Sequence, residues 1–312
     1  MLLSHSRTFD QTFNGLLFGV APSILGRKAY QSRARLQKRL GTYYRARYDE
    51  GSDVSGLIQR RAALERHIGW TDEQIGVSEF GFPWAAITST NLTLMWLFVS
   101  VFSQPRYVDR IRDEVLAITT ITTTSAAAAG GRVATVQTAK FEKHCPVLMA
   151  FHREVLRLYN DNMGNRMVLR DTFLQDADGR AYLLKKDTQV QWVAGILHLD
   201  ETLWGDDARE FNPDRWLQAT PQQERARRGA HIPFGGGKNL CPGRNFALAE
   251  NLAFVGATAL GFNVEGVTVP GMLAPALGAA MRTADWEGRD PSLTIRRRKG
   301  WEDVVWDFDV ST

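Results

Sequence analysis

One loop constrains this chain more than any other feature. Phe234-Gly235-Gly236-Gly237-Lys238-Asn239-Leu240-Cys241-Pro242-Gly243-Arg244 is the only glycine-dense segment that ends in a cysteine and opens directly into a helical stretch, Asn245 to Gly256. Proline is pre-organised for the first helical position, so Pro242 makes Cys241 the expected helix cap. The sulfur then faces unpaired helix N–H groups. Those donors and the positive end of the helix dipole lower a thiol's pKa and favour the thiolate. The three glycines let the backbone bend close to a flat ligand without side-chain clash. A thiolate so placed suits an axial ligand to haem iron, and the alternative is a structural cysteine buried after a flexible loop.

Composition narrows the setting of that loop. At 312 residues, with 44% hydrophobic and 23% charged content, the chain buries a substantial core in one or two domains' worth of polypeptide. A net charge of +4 gathers locally at Arg225-Ala226-Arg227-Arg228 and Arg296-Arg297-Arg298-Lys299. Such clusters are either solvated faces or an electrostatic docking surface for an acidic redox partner. No motif supports nucleic-acid binding. Two cysteines, Cys145 and Cys241, are too few for a disulfide framework or a multi-cysteine zinc site, and six scattered histidines show no ligand spacing. Cys145 reads as a small core residue at a helix start. Met1 to Asp10 lacks the features of a signal peptide, and no uninterrupted apolar run reaches about 18 residues, so no membrane span is expected.

Along the chain, Ala29 to Asp49 reads as a basic amphipathic helix and Arg60 to Ile68 as a short one. Thr71-Asp72-Glu73-Gln74 resembles a capping box that opens a long helical segment to about Ser103, kinked near Gly81 and Pro83. Helix resumes over Arg106 to Ile118, and Pro146 to Tyr159 is helical with one apolar face. Asn165 to Arg170, Tyr182 to Leu184 and Val190 to Val193 are short β-like runs. The low-complexity Ser125 to Gly131, preceded by the threonine-rich Thr119 to Thr124, reads as a surface connection. The fold class is therefore mainly α with a minor β-sheet.

Two further motifs precede the cysteine loop in order: Glu154-Val155-Leu156-Arg157 and Phe211-Asn212-Pro213-Asp214-Arg215-Trp216. Alone, Glu154 and Arg157 are an ordinary i,i+3 pair on one helix face. The pattern F-x-x-G-x-x-x-C-x-G, met by Phe234, Gly237, Cys241 and Gly243, resembles the haem-binding signature of the cytochrome P450 family. A chance match in a chain this long is on the order of a few per thousand. Phe211 to Trp216 is similar to that family's F-x-P-x-R-F/W segment. The resemblance implies that Glu154, Arg157 and Arg215 form a buried triad bracing the haem-side scaffold, a network in which losing one member is severe.

The same resemblance implies haem b, with Cys241 on iron and Phe234, Gly237, Lys238, Gly243 and Arg244 around the cofactor. Asn239 departs from the family, which commonly has a basic residue there, leaving Lys238, Arg166 and His231 as candidates for the haem propionates. Counted back from Pro105, Trp84 to Asn91 falls where the family has A-G-x-D/E-T-T, an acid and an alcohol that relay protons to bound dioxygen. Here Thr88 replaces the acid, and Ser89 takes the alcohol position with Thr90 beside it. A hydroxyl still donates a hydrogen bond and orders water, and the alternative is polar residues filling a helix interior or its bend. The segment with Trp96 further on looks like the branch of sterol 7α-hydroxylases and prostacyclin synthase, some of whose members rearrange a peroxide without a relay.

The resemblance covers nearly the whole chain, residues 1–312 as a single domain, but corresponds to about the C-terminal two-thirds of a family member. The expected fold is a cytochrome P450 fold lacking its N-terminal helices. The expected activity is a haem-thiolate monooxygenase, served by O2 and an NADPH-dependent reductase. Its substrate would be a small apolar molecule of terpenoid, sterol, polyketide or alkaloid type, oxidised in secondary metabolism. Trp84 to Asn91, Met163 to Leu169 and Leu273 to Leu277 would touch the substrate. Family members usually sit on the endoplasmic reticulum membrane, whereas this chain, without an anchor, would be soluble or peripheral. A truncated non-catalytic member and a haem-thiolate isomerase or dehydratase remain as alternatives. A phosphate-binding loop at Gly235 to Lys238 fails, because no glycine stands five positions before Gly237 and Asn239 replaces the hydroxyl residue.

Overall fold

The computed structural model describes residues 8, 9, 11–17, 21–123, 131–274 and 279–311. Two compact units, Met1–Thr88 and Ser89–Thr312, meet within one helix.

The first unit is helical. Helix α1 (Arg27–Arg45) buries Ala29, Ser32, Leu36, Gly41 and Tyr44, the apolar stripe of its basic sequence. Helix α2 (Gly56–His67) starts at Ser55, whose hydroxyl accepts from the Ile58 amide. Helix α3 (Asp72–Glu79) opens on the expected reciprocal capping box of Thr71 and Gln74. Glycines let α1 and α3 touch: a Cβ on Gly76 would lie 2.3 Å from the Gly41 nitrogen. Arg61 grips the buried Glu79 carboxylate, with Nε 2.9 Å from Oε1, and Arg66 binds Asp49 at 2.7 and 2.9 Å. Phe9, Phe13, Phe80 and Trp84 form an aromatic cluster of mostly edge-on rings.

Helix α4 (Gly81–Phe102) follows α3 across an interruption at Phe80. Pro83 brings it about, since it cannot donate to the carbonyl four residues back. Together, Asp72–Phe102 is long and apolar enough to cross a membrane by length and composition, because Thr, Ser and Asn interrupt its apolar run without adding charge. That departs from the sequence expectation. The C-terminal half is core helix, with Trp96, Leu97 and Val101 fully buried.

In the second unit, that half of α4 packs with α5 (Pro105–Ala117), α6 (Pro146–Leu158) and the helix after the cysteine loop around one apolar cluster that includes Ile111, Val115, Phe151, Val155, Leu252 and Leu260. Trp96 stacks on Tyr159 at 3.8 Å, and its indole N–H donates to the Arg282 carbonyl. Thr119–Thr123, in the threonine-rich run before the expected surface connection, is strand β1, paired antiparallel with β2 (Arg132–Gln137). Its threonines favour the pleated backbone. Residues 124–130, most of the proposed low-complexity connection, lie outside the described residues.

The expected β-like runs fall on β3 (Met163–Met167, in part), β5 (Ala181–Leu184) and β6 (Gln189–Val193), with β3 paired to β6 and β5 paired to β4 (Thr172–Gln175), a strand the sequence did not suggest. Short helix α7 (Ala194–His198) follows β6, and α8 (Pro221–Ala230) begins at a Thr220/Gln223 capping box. Helix α9 (Arg244–Gly261) leads into β7 (Phe262–Glu265). Two-residue strands β8 (Gly271–Met272) and β9 (Ala284–Asp285) pair with each other. Strand β10 (Thr294–Arg297) pairs antiparallel with β7, and β11 (Val304–Asp309) pairs parallel with β2.

Helix α9 corrects the expected cap. It begins at Arg244 with Gly243 as its N-cap residue and no side chain bonded to its first amides, so Cys241 lies two residues before the cap. Pro242 and Gly243 turn the chain before the helix starts.

Candidate functional site

The cysteine loop is closed by its own backbone. The Gly235 amide donates to the Ile232 carbonyl at 3.0 Å, Leu240 to Gly237 at 3.2 Å, and Cys241 to Phe234 at 3.1 Å. Gly235 and Gly237 hold φ of +71° and +64°, the left-handed region that favours glycine. A Cβ built on Gly235, Gly236 or Gly237 meets no atom within 4 Å. That open flank fits a flat macrocycle laid against the backbone, and the sulfur of half-buried Cys241 is a soft donor for iron. The other cysteine differs. Cys145 is fully buried at the start of α6, and burial, with Glu114 behind it, pushes its thiol up to about 12.

Charged side chains hold the loop on two sides. Arg166 on β3 donates to the Gly236 carbonyl at 3.2 Å and lies over the Trp192 ring, which puts it beside the glycines. Arg244 donates to the Cys241 carbonyl at 3.1 Å. Phe234 packs against the main core, and a Cβ on Gly243 would lie 3.9 Å from the Cys241 sulfur. Lys238 is exposed on the turn. His231, the other propionate candidate, sits among rings instead, 5.0 Å from Trp216 and 5.4 Å from His198, and burial holds it well below its ordinary pKa.

Behind the loop, Glu154, Arg157 and Arg215 come together. Glu154 and Arg157 face inward from α6, and both side chains are fully buried. Arg157 meets the carboxylate with two bonds, 2.9 Å from Nε and 2.7 Å from Nη2, a bidentate fork. Its other donors go to the carbonyls of His198, Ala208 and Glu210 at 2.7, 2.6 and 3.0 Å. Arg215 reaches Glu154 at 3.4 Å and also pairs with Asp207 at 2.8 Å. The Asn212 amide and the Trp216 indole N–H complete the Glu154 oxygens, at 3.0 and 2.9 Å.

Sequence reasoning missed Asp207, and it marked Asn212 and Trp216 only as members of the motif, without their bonds; the fold brings Asn212 and Trp216 to Glu154 and Asp207 to Arg215. A polar cavity of about 580 Å³ opens beside Arg215, Asp207 and Arg227, and none of its lining residues comes from the cysteine loop.

The relay candidates follow one another on α4. Thr88 spends its hydroxyl proton on the Trp84 carbonyl at 2.8 Å, Thr90 is buried, Ser89 is half-buried, and the Ser89 carbonyl accepts from Thr93. Of the expected substrate contacts, Met163, Met167, Leu169 and Leu273 are exposed, and residues 275–278 lie outside the described residues.

Comparison with known proteins gives the family. The family model for cytochrome P450 matches residues 25–280. A cytochrome P450 monooxygenase of Gibberella zeae is 33% identical over 310 residues, 96% of this chain and 58% of that protein. Cytochrome P450 monooxygenase nodJ of Hypoxylon pulicicidum is 27% identical over 312 residues, 97% of this chain and 59% of its own. Cytochrome P450 52A8 of Candida tropicalis is 36% identical over 127 residues, 38% of this chain and 24% of that protein. The chain thus spans just under three-fifths of the first two relatives. Helix-rich architecture, ordered motifs and family match together place it: the chain belongs to the cytochrome P450 family, whose cofactor is haem b.

Proposed function

We propose that this chain acts as a haem-thiolate monooxygenase, with Cys241 as the axial ligand to iron and a small apolar molecule as substrate. The carrying observation is the open flank of Gly235 to Gly237, next to a cysteine whose loop is closed by the Cys241–Phe234 backbone bond. Bound haem b supplies an iron that activates O2 for insertion into a carbon–hydrogen bond, the thiolate favouring O–O cleavage. The protein's share is to bind, orient and deliver protons. Gly235 to Gly237 let the macrocycle approach the backbone, while Phe234, Gly243 and Arg244 hold the loop's shape. Arg166 and Lys238 supply positive charge near the loop for the propionates. Glu154, Arg157 and Arg215 brace the segments behind the loop without touching the reacting atoms.

Ser89 and Thr90 carry any proton relay, because the Thr88 hydroxyl donates to its own helix. Electrons would come from an NADPH-dependent reductase, and the exposed Arg225 and Arg228 on α8 offer an acidic partner a basic surface. The relatives named as monooxygenases favour this activity for the chain, and a terpenoid, sterol, polyketide or alkaloid in a tailoring step fits the apolar substrate class. One observation favours a second reading. With no carboxylate at the relay and Thr88 occupied, an isomerase or dehydratase that rearranges an oxygenated substrate needs nothing the chain lacks.

The reduced, carbon monoxide-bound absorption spectrum of haem-supplied protein tests the ligand. A red-shifted Soret band characteristic of thiolate supports the reading, and its absence in folded, haem-supplied protein leaves a non-catalytic family member. Where the band is present, product formation driven by reductase, NADPH and O2 separates the monooxygenase from an isomerase that turns over a peroxide without electrons.

A further inference from the structure

The cysteine loop hangs from two buried polar side chains that no motif identifies. His198, the last residue of α7, has no exposed surface. Its Nε2 accepts from the Ile232 amide at 3.0 Å, at the entry to the loop. Asn160, directly after the C-cap of α6, is 3% exposed. Its Nδ2 donates to the Pro233 carbonyl at 3.3 Å, while its Oδ1 accepts from the Asn162 amide at 3.1 Å. From there the main chain closes on itself, Gly235 amide to Ile232 carbonyl and Cys241 amide to Phe234 carbonyl. The His198 carbonyl, in turn, accepts from Arg157 Nη1 at 2.7 Å. One residue is therefore gripped through its main chain by the Glu154–Arg157 pair and grips the loop through its ring.

We propose that His198 is a positioning residue for Cys241: as a neutral ring with Nε2 unprotonated, it fixes the Ile232 amide and so sets where the Phe234 to Cys241 turn presents its sulfur. The proposal rests on the reading of Cys241 as iron ligand. The assignment is specific to Nε2. An amide N–H cannot bond to a protonated or carbon-capped position, and an unsatisfied buried N–H is costly. Local loosening at Ile232 then moves the anchor from which the next nine residues depend.

Three variants of the full chain separate a hydrogen bond from mere packing. His198→Gln places its amide oxygen near the old Nε2. His198→Leu keeps bulk without an acceptor. His198→Asn keeps an acceptor that reaches only as far as Nδ1. Amide hydrogen exchange of haem-free protein reads the peptide covering Ile232 to Cys241, with α5 and α9 as folding controls. Haem-supplied protein is read by its reduced, carbon monoxide-bound spectrum.

Leu and Asn variants are expected to exchange about tenfold faster across the loop than the wild type and to lose thiolate band intensity, with the controls unchanged. Gln is expected to restore both. Should the Leu variant not fold, the Asn variant carries the comparison. Wild-type exchange in the loop of the Asn or Leu variant overturns the proposal, as does a Gln variant that behaves like Asn. A wild type that lacks the thiolate band overturns the iron-ligand reading instead, while the exchange of the haem-free loop still judges the His198 bond.

Discussion

At Cys241, chemistry and stability are separable, because the side chain is half-buried on a loop whose closure is carried by backbone bonds. Cys241→Ser should abolish the thiolate spectral band while shifting folding stability by no more than about 0.5 kcal/mol, the range of substitutions away from core contacts. A urea titration of the haem-free variant beside its spectrum checks both halves. Glu154 is the opposite case. It has no exposed surface and accepts from Arg157, Arg215, Asn212 and Trp216, so neutralising it strands guanidinium groups in the interior. Glu154→Gln should cost about 3–5 kcal/mol, the usual effect of breaking a buried ion pair from one side. Set against a stability of about 5–15 kcal/mol, that loss should appear as a large drop in urea midpoint, and a midpoint within error of wild type would remove the brace from this account.

At the scale of elements, α1 and α3 cross closely at Gly41 and Gly76. A methyl group at Gly76 would lie 2.3 Å from backbone at Gly41, and backbone cannot rotate aside as a side chain can. Gly76→Ala should therefore cost about 1–3 kcal/mol by overpacking, against the slight gain expected for alanine in an open helix. Thermal unfolding followed by helical signal checks the sign. Helices were largely legible in the sequence because their signals are local: the Thr71/Gln74 box, Pro105 and Pro146 at helix starts, and the apolar stripe of α6. Strand β1 was not, since its register depends on β2, and β2 in turn pairs with β11 from the far end of the chain. Helix α8 was hidden behind its arginines, although Thr220 and Gln223 form the same box as Thr71 and Gln74. In the site, the cysteine, glycines and both arginines stood out by spacing. Asp207 and His198 did not, and the bond from Trp216 to Glu154 was not implied by its place in the motif, because such partners are chosen by tertiary contact, not by sequence distance.

Three buried histidines should make the molecule less stable in mild acid. Burial, reinforced by Arg153, lowers His152 to about 4. Burial, reinforced by Arg157, lowers His198 to about 4, and burial with His198 beside it holds His231 well below its ordinary value. In the unfolded chain each ring titrates near its ordinary 6.5. As pH falls through 6.5, the unfolded chain takes up protons that the folded one refuses. Stability is therefore full above about pH 6.5 and declines toward pH 4, each ring contributing at most about 1.4 kcal/mol per pH unit. Glu114 and Glu65 work the other way: burial raises both carboxyls, so the folded state holds their protons from above 4.5 and gains stability on acidification there. Three rings, with an ordinary value of 6.5, against two carboxyls raised from 4.5 are expected to leave a net loss between pH 7 and 5. Urea midpoints of haem-free protein should fall across that interval. His152→Leu should flatten the slope, because it removes one ring that lies wholly inside the core and leaves the loop's hydrogen bonds alone. An equal slope in wild type and variant would exclude His152 as a source of the acid sensitivity.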